Sequence, residues 1–401
     1  MKIGKLFLAG VITLGLGLTA CNNDTPEVQK GTAGTLTVNI MQAGAPATKL
    51  AGDLTNPGDQ PAGLDGEKAI KKVEVWVFAG GNLEQYKTGT DNPMQLDGLS
   101  AGTKAVAVVV NGNIGSKATL ADLKLATNTL SQSLTGDNDP GMVMSWLNES
   151  VALVKCPTPT SDCNEVTAEV ERVNARVALV GVKTTFDAAA PFKTFELEEV
   201  AMFNVRETSL IFGNPLITGN PLITTSKFLY GSRYPSKDGS YVGYPAYEAL
   251  PEYAGSLAHR VEASLLENSN LPLDVTTTPL TIAKSKYFYV YENDETPKQG
   301  TILVLKGKLK KEDGSVYILE GVSTDDAGNT YYAIWVNAKM EGYSYNSSHT
   351  PDGKILRNNQ YNIDVTLTRA GSPTIDPTET ACLSVTVNVK KWTVVNQTVV
   401  W

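Results

Sequence analysis

The sequence is poor in the side chains on which most catalytic and metal-binding sites depend. Only two of its 401 residues are histidines, His259 and His349, and they lie too far apart to form a spaced metal-binding motif. It contains no glycine-rich phosphate-binding loop with its lysine. Paired carboxylates of the glycosidase type leave no fixed spacing to search for. We therefore predict no catalytic residue, no metal and no cofactor, and a protein that is not an enzyme.

An excess of positive charge is also missing. The formal net charge is −8, and no segment concentrates enough lysine and arginine to cover a phosphate backbone, so nucleic acid is not a predicted partner. The composition is that of an ordinary folded protein, with 42% hydrophobic and 19% charged residues. A chain of 401 residues is long enough for two domains, each with a core of its own.

Long apolar runs are absent except at the N-terminus. Residues 6–18 form an apolar stretch of 13 residues behind Lys2 and Lys5, which is too short to span a bilayer and is typical of a signal peptide. The stretch ends in Leu-Thr-Ala-Cys21, which resembles the lipobox of bacterial lipoproteins. We expect a signal peptide over residues 1–20 and lipid on Cys21; the alternative is an ordinary signal peptide followed by a chance cysteine.

Cysteines are few, and export would place them in an oxidising compartment. Cys156 and Cys163 flank a short proline-containing loop, so we expect a structural disulfide between them, contributing ~2–3 kcal/mol. Cys382 is then left over, and other pairings of these three cysteines stay open.

Alternation of apolar and polar residues dominates the rest of the chain. Valine and threonine recur, and 35 glycines and 20 prolines supply turns between strand-like runs spaced 8–20 residues apart. This pattern predicts an all-β protein of the sandwich type with short helices. Leucines at helical spacing predict one surface helix over residues 116–134, and residues 316–319 are predicted as a strand.

Two alternating stretches near the two ends of the chain are similar enough to exchange places. Residues 36–40 carry Leu36, Val38 and Ile40 on one face, and residues 383–389 repeat that alternation. The apolar and aromatic residues of the second stretch and its continuation are Leu383, Val385, Val387, Val389, Trp392 and Trp401. Any all-β protein has several alternating strands, so the similarity alone is also explained by two ordinary strands.

Between the first of these strands and the next strand lies an exposed loop. Residues 42–66 have no periodic apolar face, and their one basic residue is Lys49, followed by Leu50. Exposed tips of this composition are where proteases cut. Lys49 is thus either a processing site or an ordinary surface lysine.

Segments along almost the whole chain resemble the fimbrillin family, the lipoprotein-derived subunits of type V pili. The segments are, in chain order, the lipobox at Cys21; Val73-Glu-Val-Trp-Val-Phe78 with Gly81-Asn-Leu-Glu84; Val108-Val-Val-Asn111; Arg172-x-x-Ala175-Arg176-Val177; Met202-Phe-Asn204-Val205; Phe288-Tyr-Val-Tyr-Glu-Asn293; Tyr331-Tyr-Ala-Ile334; Leu356-Arg-Asn-Asn-Gln-Tyr361; and Val385-x-Val-x-Val389-x-x-Trp392. Each motif is weak by itself, and their order carries the resemblance.

The resemblance implies two β-sandwich domains in tandem, each of transthyretin-like Greek-key topology. It also implies an outer-membrane lipoprotein precursor that a trypsin-like protease cuts after the first strand, removing the lipid on Cys21 and the strand together. The emptied groove would receive the C-terminal strand of the next subunit. The family's cut commonly follows an arginine, whereas the first arginine here is Arg172, so Lys49 is the substitute.

On this interpretation residues 21–49 are the tether, first strand and propeptide, residues 50–205 and 206–401 are the two domains, and residues 383–401 are the donor strand. We expect the donor to be loosely held in the uncut chain. Expected partners are other copies, other fimbrial subunits, a protease and the outer membrane, in a cell-surface fimbrium that supports adhesion. Two alternatives stay open: an uncut lipid-anchored anchor, accessory or tip subunit, and a monomeric surface lipoprotein that binds glycan or protein.

Overall fold

In the computed structural model, most of the described residues belong to β-strands. The described residues are 34–42, 67, 69–130, 141–157, 163–203, 205–206, 208–212, 228–229, 273–278, 280–293, 300–340, 342–345, 349–373, 384–391 and 398–400. Within these residues no helix has the length and apolar character needed to cross a membrane. The prediction of an all-β fold with little helix is confirmed.

The first half of the chain builds one curled sheet. Its elements are β1 (Gly34–Gln42), β2 (Val73–Ala79), β3 (Asn82–Gly89), β4 (Met94–Leu99), β5 (Gly102–Val110), α1 (Leu120–Lys124), β6 (Thr127–Thr129), β7 (Met144–Leu153) and β8 (Asn164–Arg172). Seven of the strands pair in the order β3-β2-β5-β7-β8-β1-β4. The two end strands, β3 and β4, are consecutive in the chain and joined by residues 90–93, so the sheet folds back on itself.

Because the sheet folds back on itself, its two halves form two layers with a core between them. Alternation along β2 sends Val73, Val75 and Val77 into this core, where they pack with residues of β1, β4, β5 and β7. The opposite face of β2 carries Trp76 and Phe78, which are also fully buried. They pack in a second cluster that includes residues from α1 and from the C-terminal half of the chain, so both faces of this layer are covered.

The second half forms two main sheets. Its strands are β9 (Ala175–Thr184), β10 (Thr194–Phe203), β11 (Val205–Arg206), β12 (Thr208–Leu210), β13 (Phe228–Leu229), β14 (Leu273–Val275), β15 (Leu280–Val290), β16 (Ile302–Lys310), β17 (Asn329–Trp335), β18 (Tyr343–Tyr345), β19 (Asn359–Leu367), β20 (Ser384–Lys391) and β21 (Thr398–Val400). A four-stranded sheet, β14-β10-β16-β17, and a six-stranded sheet, β15-β9-β19-β20-β18-β21, enclose the largest core cluster.

The predicted boundary between residues 205 and 206 does not match the strand pairing. Strand β9 pairs with β15 and β19, and β10 pairs with β14 and β16, so both strands belong to the C-terminal sheets. Their apolar residues also lie in the C-terminal core. Irregular sequence after residue 205 suggested the boundary, but strand pairing divides the chain where β8 ends and β9 begins, near residue 174.

The prediction of a helix over residues 116–134 was wrong in extent. Only Leu120–Lys124 is helical, capped by the Thr119 hydroxyl, which accepts a hydrogen bond from the backbone N–H of Asp122 (3.1 Å). The chain then forms β6, which pairs with β12, because its two threonines favour a strand; residues 131–134 lie outside the described residues. Residues 316–319 do not form the predicted strand either, since only Val316 makes a bridge, to Lys310.

Candidate functional site

The first strand, β1, is an interior strand of its sheet. It runs parallel to β8, with Leu36 opposite Asn164 and Gln42 opposite Val170, and antiparallel to β4, with Leu36 opposite Leu96. We call the space that β1 occupies between β4 and β8 the β1 slot. Without β1, the facing edges of both neighbours would expose unpaired backbone groups, which readily pair with another strand.

The inner face of β1 fills the core. Leu36 and Val38 are fully buried and Ile40 is almost so, as the alternation in the sequence predicts. They pack with Met94, Leu96 and other residues of the enclosed core. At ~1.5–3 kcal/mol for each buried side chain, the three contribute about 5–9 kcal/mol, so an empty slot would be both unstable and adhesive.

Two asparagine side chains hold the backbone of β1 near its ends. Asn92 accepts a hydrogen bond from the N–H of Ile40 and donates one to its C=O, both at 3.0 Å, so one amide replaces a strand neighbour beyond the last β4 pair. Asn164 donates to the C=O of Thr35 (3.2 Å). Both contacts are to backbone atoms, so these hydrogen bonds place no demand on the side chains at positions 35 and 40.

The disulfide lies beside the Asn164 end of the slot. Cys156 and Cys163 are bonded, with Cα atoms 5.5 Å apart, and the Asn164 amide lies 3.2 Å from the Cys163 sulfur. Asn164 also accepts a hydrogen bond from the N–H of Val154 (2.8 Å), on the strand side of the same loop. A Cβ added to Gly34 would lie 3.0 Å from the Asn164 amide nitrogen, so the start of β1 packs closely against this loop.

The outer face of β1 makes specific polar contacts. The Thr35 hydroxyl donates to the Asp97 carboxylate (3.1 Å), and the Asn39 amide donates to the Glu165 carboxylate. Met41 is half exposed. The outer side of the slot is therefore lined by acidic side chains from both neighbouring strands.

A buried ion pair lies where β1 ends. Arg176 contacts the Glu67 carboxylate at 2.7 Å, both side chains are fully buried, and the Tyr289 hydroxyl donates to the same carboxylate oxygen (2.9 Å). Arg172 donates to the backbone C=O of Glu67 (3.1 Å) and to the side-chain oxygen of Gln42 (3.2 Å). Burial lowers the pKa of Arg172 to about 10, opposed by the Glu67 carboxylate, so the Arg172 guanidinium is charged at neutral pH.

The chain that follows Glu67 is anchored without help from β1. Asn111 donates to the C=O of Ala69 (2.8 Å) and of Met142 (3.0 Å), and its side-chain oxygen accepts from the N–H of Lys71 (2.9 Å). Residues 43–66 thus connect Gln42 with Glu67, and both of these residues are held in place by contacts with the rest of the fold. A cut between them leaves β2 and the strands after it attached at Glu67.

The structure describes only some of the predicted site residues. Leu36, Val38 and Ile40 lie together in the β1 slot. Cys21, Lys49 and Leu50 lie outside the described residues, as do Leu383, Trp392 and Trp401. Val385, Val387 and Val389 lie on β20, for which the backbone is described.

In its own chain β20 is not a free end. It pairs antiparallel with β19, through Asn359–Lys391 to Ile363–Val387, and parallel with β18, through Tyr343–Val385 to Tyr345–Val387. The expectation of a loosely held strand was therefore wrong for the backbone, because a solitary alternating strand would leave its ladder groups unpaired. Any transfer of β20 to another subunit must first break these pairings.

Sequence reasoning missed the polar residues that frame the slot. Asn92, Asn164 and Glu67 gave no signal, since single polar residues in loops or at strand ends carry no periodicity. Arg172 and Arg176 were noticed only as part of a family-like motif. Among the described residues, no group of three or more histidine, cysteine, aspartate or glutamate side chains is arranged to hold a metal ion.

Comparison with known proteins assigns the family. Residues 35–180 match the model of the major fimbrial subunit protein FimA, and residues 174–392 match that of the FimA4 pilin C-terminal domain. Major fimbrium subunits FimA type-3 and type-5 of Porphyromonas gingivalis are 27% and 29% identical, over all of both chains. A fimbrilin crystal structure from P. gingivalis W83 superposes with a TM-score of 0.61 at 23% identity, covering 90% of this chain and 99% of that one. The chain belongs to the fimbrillin family, whose members are structural subunits of fimbriae and not enzymes.

Proposed function

We propose that the chain polymerises into a cell-surface fimbrium by donor-strand exchange and is exported as an outer-membrane lipoprotein precursor. In this scheme the lipid is carried by Cys21, and a protease cuts at Lys49–Leu50 within the loop after β1. Release of β1 empties its slot, and the C-terminal strand of another copy fills it. The resulting fimbrium supports adhesion.

The observation that carries this proposal is the position of β1. It is buried and it is hydrogen-bonded along both edges. Its covalent connection to the later strands runs through residues 43–66, on its C-terminal side. One cut in this loop breaks the covalent connection between β1 and every later strand, and the contacts of Glu67 and Asn111 keep the following chain in place. An interior strand that one cut can disconnect, so that another strand can replace it, is the arrangement that strand exchange requires.

The geometry also explains an open-ended polymer. The slot and the donor strand are different surfaces of one chain, so the contact between copies is heterologous. Each copy offers one slot and one donor, so copies add head to tail, and they form an open filament when the rotation between successive copies does not close a ring.

The first test is the N-terminus of the surface-exposed protein. We expect mature material to begin at Leu50 and to lack lipid, and Lys49→Gln to leave the chain acylated and out of filaments. Lys30→Gln, which changes a lysine on the other side of β1, serves as the control and should be processed normally. An intact acylated Cys21 in assembled fimbriae would instead favour the anchor or accessory subunit.

A second measurement separates a polymerising subunit from a monomeric binder. Val387→Asp would place a charge without a counter-ion in the buried slot, so filament yield should fall to background while Val387→Ile assembles. Undiminished filaments from Val387→Asp would contradict the exchange. A monomeric binding protein should keep its ligand after removal of residues 383–401, whereas a fimbrial subunit should lose assembly.

A further inference from the structure

Strands β1 and β20 match residue by residue over six positions. Residues 35–40 read Thr-Leu-Thr-Val-Asn-Ile and residues 384–389 read Ser-Val-Thr-Val-Asn-Val, so three positions are identical and three differ conservatively. This alignment is shifted by two residues from the one that pairs Leu36 with Leu383. The surroundings correspond in part: each strand has a parallel and an antiparallel neighbour, and β20 makes one further antiparallel pair with β21.

We propose that the donor strand enters the β1 slot in this register, with Ser384 in the place of Thr35 and Lys390 in the place of Met41. The inference rests on the proposed strand exchange and specifies it. It identifies Asn388 and Lys390 as the donor residues, and Glu165 and Glu169 as the slot residues, that set the register.

The polar contacts of the outer face are retained in this register. Ser384 supplies a hydroxyl at the position from which Thr35 donates to Asp97. Asn388 replaces Asn39 and keeps an amide donor for the Glu165 carboxylate. On the inner face three valines replace leucine, valine and isoleucine, a loss of about one methylene at two positions.

Charge complementarity improves on exchange at one position. In the closed chain Met41 lies opposite Glu169 of β8, and both side chains are exposed. In the proposed register this position is taken by Lys390, whose ammonium group lies beside the carboxylate on the same face of a parallel pair. An exposed apolar side chain next to a carboxylate is thus replaced by an opposite charge.

Registers two residues away lose these matches. If Val385 replaced Val38, Asn388 would lie opposite Glu169, Thr386 would lie opposite Thr167, and Lys390 would pass beyond the end of β1. The proposed register has two mismatches of its own. Leu383 takes the place of Gly34, where a Cβ lies 3.0 Å from the Asn164 amide nitrogen and 3.1 Å from the Val154 backbone oxygen, so the start of the slot must widen slightly. Lys391 takes the place of Gln42 beside Arg172. The position is only partly buried, so the long lysine stem can direct its ammonium group to solvent.

The asparagine contacts do not select a register. Asn92 and Asn164 bind only backbone atoms of residues 40 and 35, so any strand that enters parallel to β8 can satisfy them. Register must then be set by side chains, and the outer-face carboxylates are the groups that distinguish one two-residue shift from the next. Shifts of one residue are excluded because they would turn the apolar face outwards.

Disulfide trapping between copies reads the register directly. In a Cys382→Ser background, to remove the neighbouring thiol, the processed chain carries Glu169→Cys with either Lys390→Cys or Asn388→Cys. Oxidation during assembly should give a covalent ladder of multimers with the 169/390 pair and only a trace with the 169/388 pair. Glu169→Cys alone is the control for random cross-linking.

The outcomes distinguish the register from the exchange. A ladder with 169/388 in preference to 169/390 would overturn the register while supporting the exchange. No ladder from either pair, in variants that form filaments as the Cys382→Ser parent does, would overturn the register; the exchange itself is then decided by the Val387→Asp variant.

A charge swap tests the lysine–carboxylate pair without cysteines. Lys390→Glu should slow assembly about two- to fivefold, and adding Glu169→Lys should restore it, as expected for an exposed ion pair. Lys390 also lies opposite Gln360 within its own chain, so a defect in folding alone would not be rescued by a change in β8. Failure of the double variant to recover would count against the register.

Discussion

At the scale of single residues, neutral amide side chains hold the first strand through hydrogen bonds to its backbone. Asn92 satisfies one N–H and one C=O of β1 where β4 no longer reaches, and both of its hydrogen bonds are 3.0 Å long. A buried donor or acceptor that loses its partner costs more than the hydrogen bond is worth on average. The strand end is therefore sensitive to this one side chain.

Asn92→Ala should lower the free energy of unfolding of the uncut chain by about 1–3 kcal/mol, because two backbone groups of Ile40 lose their partners. Denaturant unfolding followed by fluorescence measures this. Gln95→Ala, on the neighbouring strand β4, removes only an exposed hydrogen bond to Asp97 and should change stability by less than about 0.5 kcal/mol. Equal effects of the two changes would contradict the role assigned to Asn92.

Asp364 gives the C-terminal sheet a dependence on pH. Burial raises its pKa to about 6, opposed by Lys183. Its carboxylate lies over Gly181, where an added Cβ would collide with the Asp364 carboxylate oxygen. Because the folded-state pKa is raised, the folded protein binds the proton more tightly than the unfolded chain. The stabilisation that comes from protonated Asp364 is complete below about pH 4 and is lost as the pH rises through 6.

Asp364→Asn should therefore stabilise the protein at pH 7.5, by about 1–2 kcal/mol after allowance for partial exposure. The advantage over the parent should shrink at pH 4, where Asp364 is already neutral. Melting curves of both chains at the two pH values give this double difference. An advantage independent of pH would show that the carboxylate does not carry a buried charge.

At the scale of elements, alternation predicted the strands whose two faces differ, and β1 is the clearest case. Leu36, Val38 and Ile40 are buried as the pattern requires. The sequence pattern gave wrong predictions for segments whose structure depends on pairing with distant strands. The leucines near residue 120 suggested a long helix, but the threonines after it pair with β12, a strand some 80 residues away. Such long-range pairing leaves no local periodicity.

Glu67 is the point at which β2 and the strands after it are secured. Glu67→Ala should destabilise the chain by about 3–5 kcal/mol, because Arg176 would be left as a buried charge without its carboxylate. Glu149→Ala breaks an ion pair of similar length with Lys124 on the exposed surface and should cost under about 1 kcal/mol. Chemical denaturation of the two variants compares them, and a small effect at Glu67 would contradict the anchoring role.

At the scale of the whole molecule, the division near residue 174 was beyond the reach of composition. Strands β8 and β9 are separated by only two residues, Val173 and Asn174, yet they enter different sheets. No flexible linker marks the change, so a boundary sought in irregular sequence was placed some 30 residues too late. The arginines of the buried network lie on either side of this junction, Arg172 on β8 and Arg176 on β9.

Cutting the loop should not by itself empty the slot. After cleavage β1 is held by two strand ladders, Asn92, Asn164 and its buried side chains, so the fragment ending at residue 49 should stay bound to the rest of the chain. Native mass spectrometry of protein cut in vitro should detect this complex, and gel filtration should show no dissociation without denaturant. Spontaneous loss of the fragment at micromolar concentration would show that β1 is held less tightly than its contacts imply.

The double pairing of the β1 slot has a mechanical consequence for a fimbria that uses it. A strand in the slot is bonded to β4 on one edge and to β8 on the other. Tension that reaches it through the preceding chain pulls along the strand axis, across the direction of the ladder hydrogen bonds. Those bonds then share the load and must break together. The contact between subunits should therefore withstand a pull along the strand axis far better than a pull that separates the strands one hydrogen bond at a time.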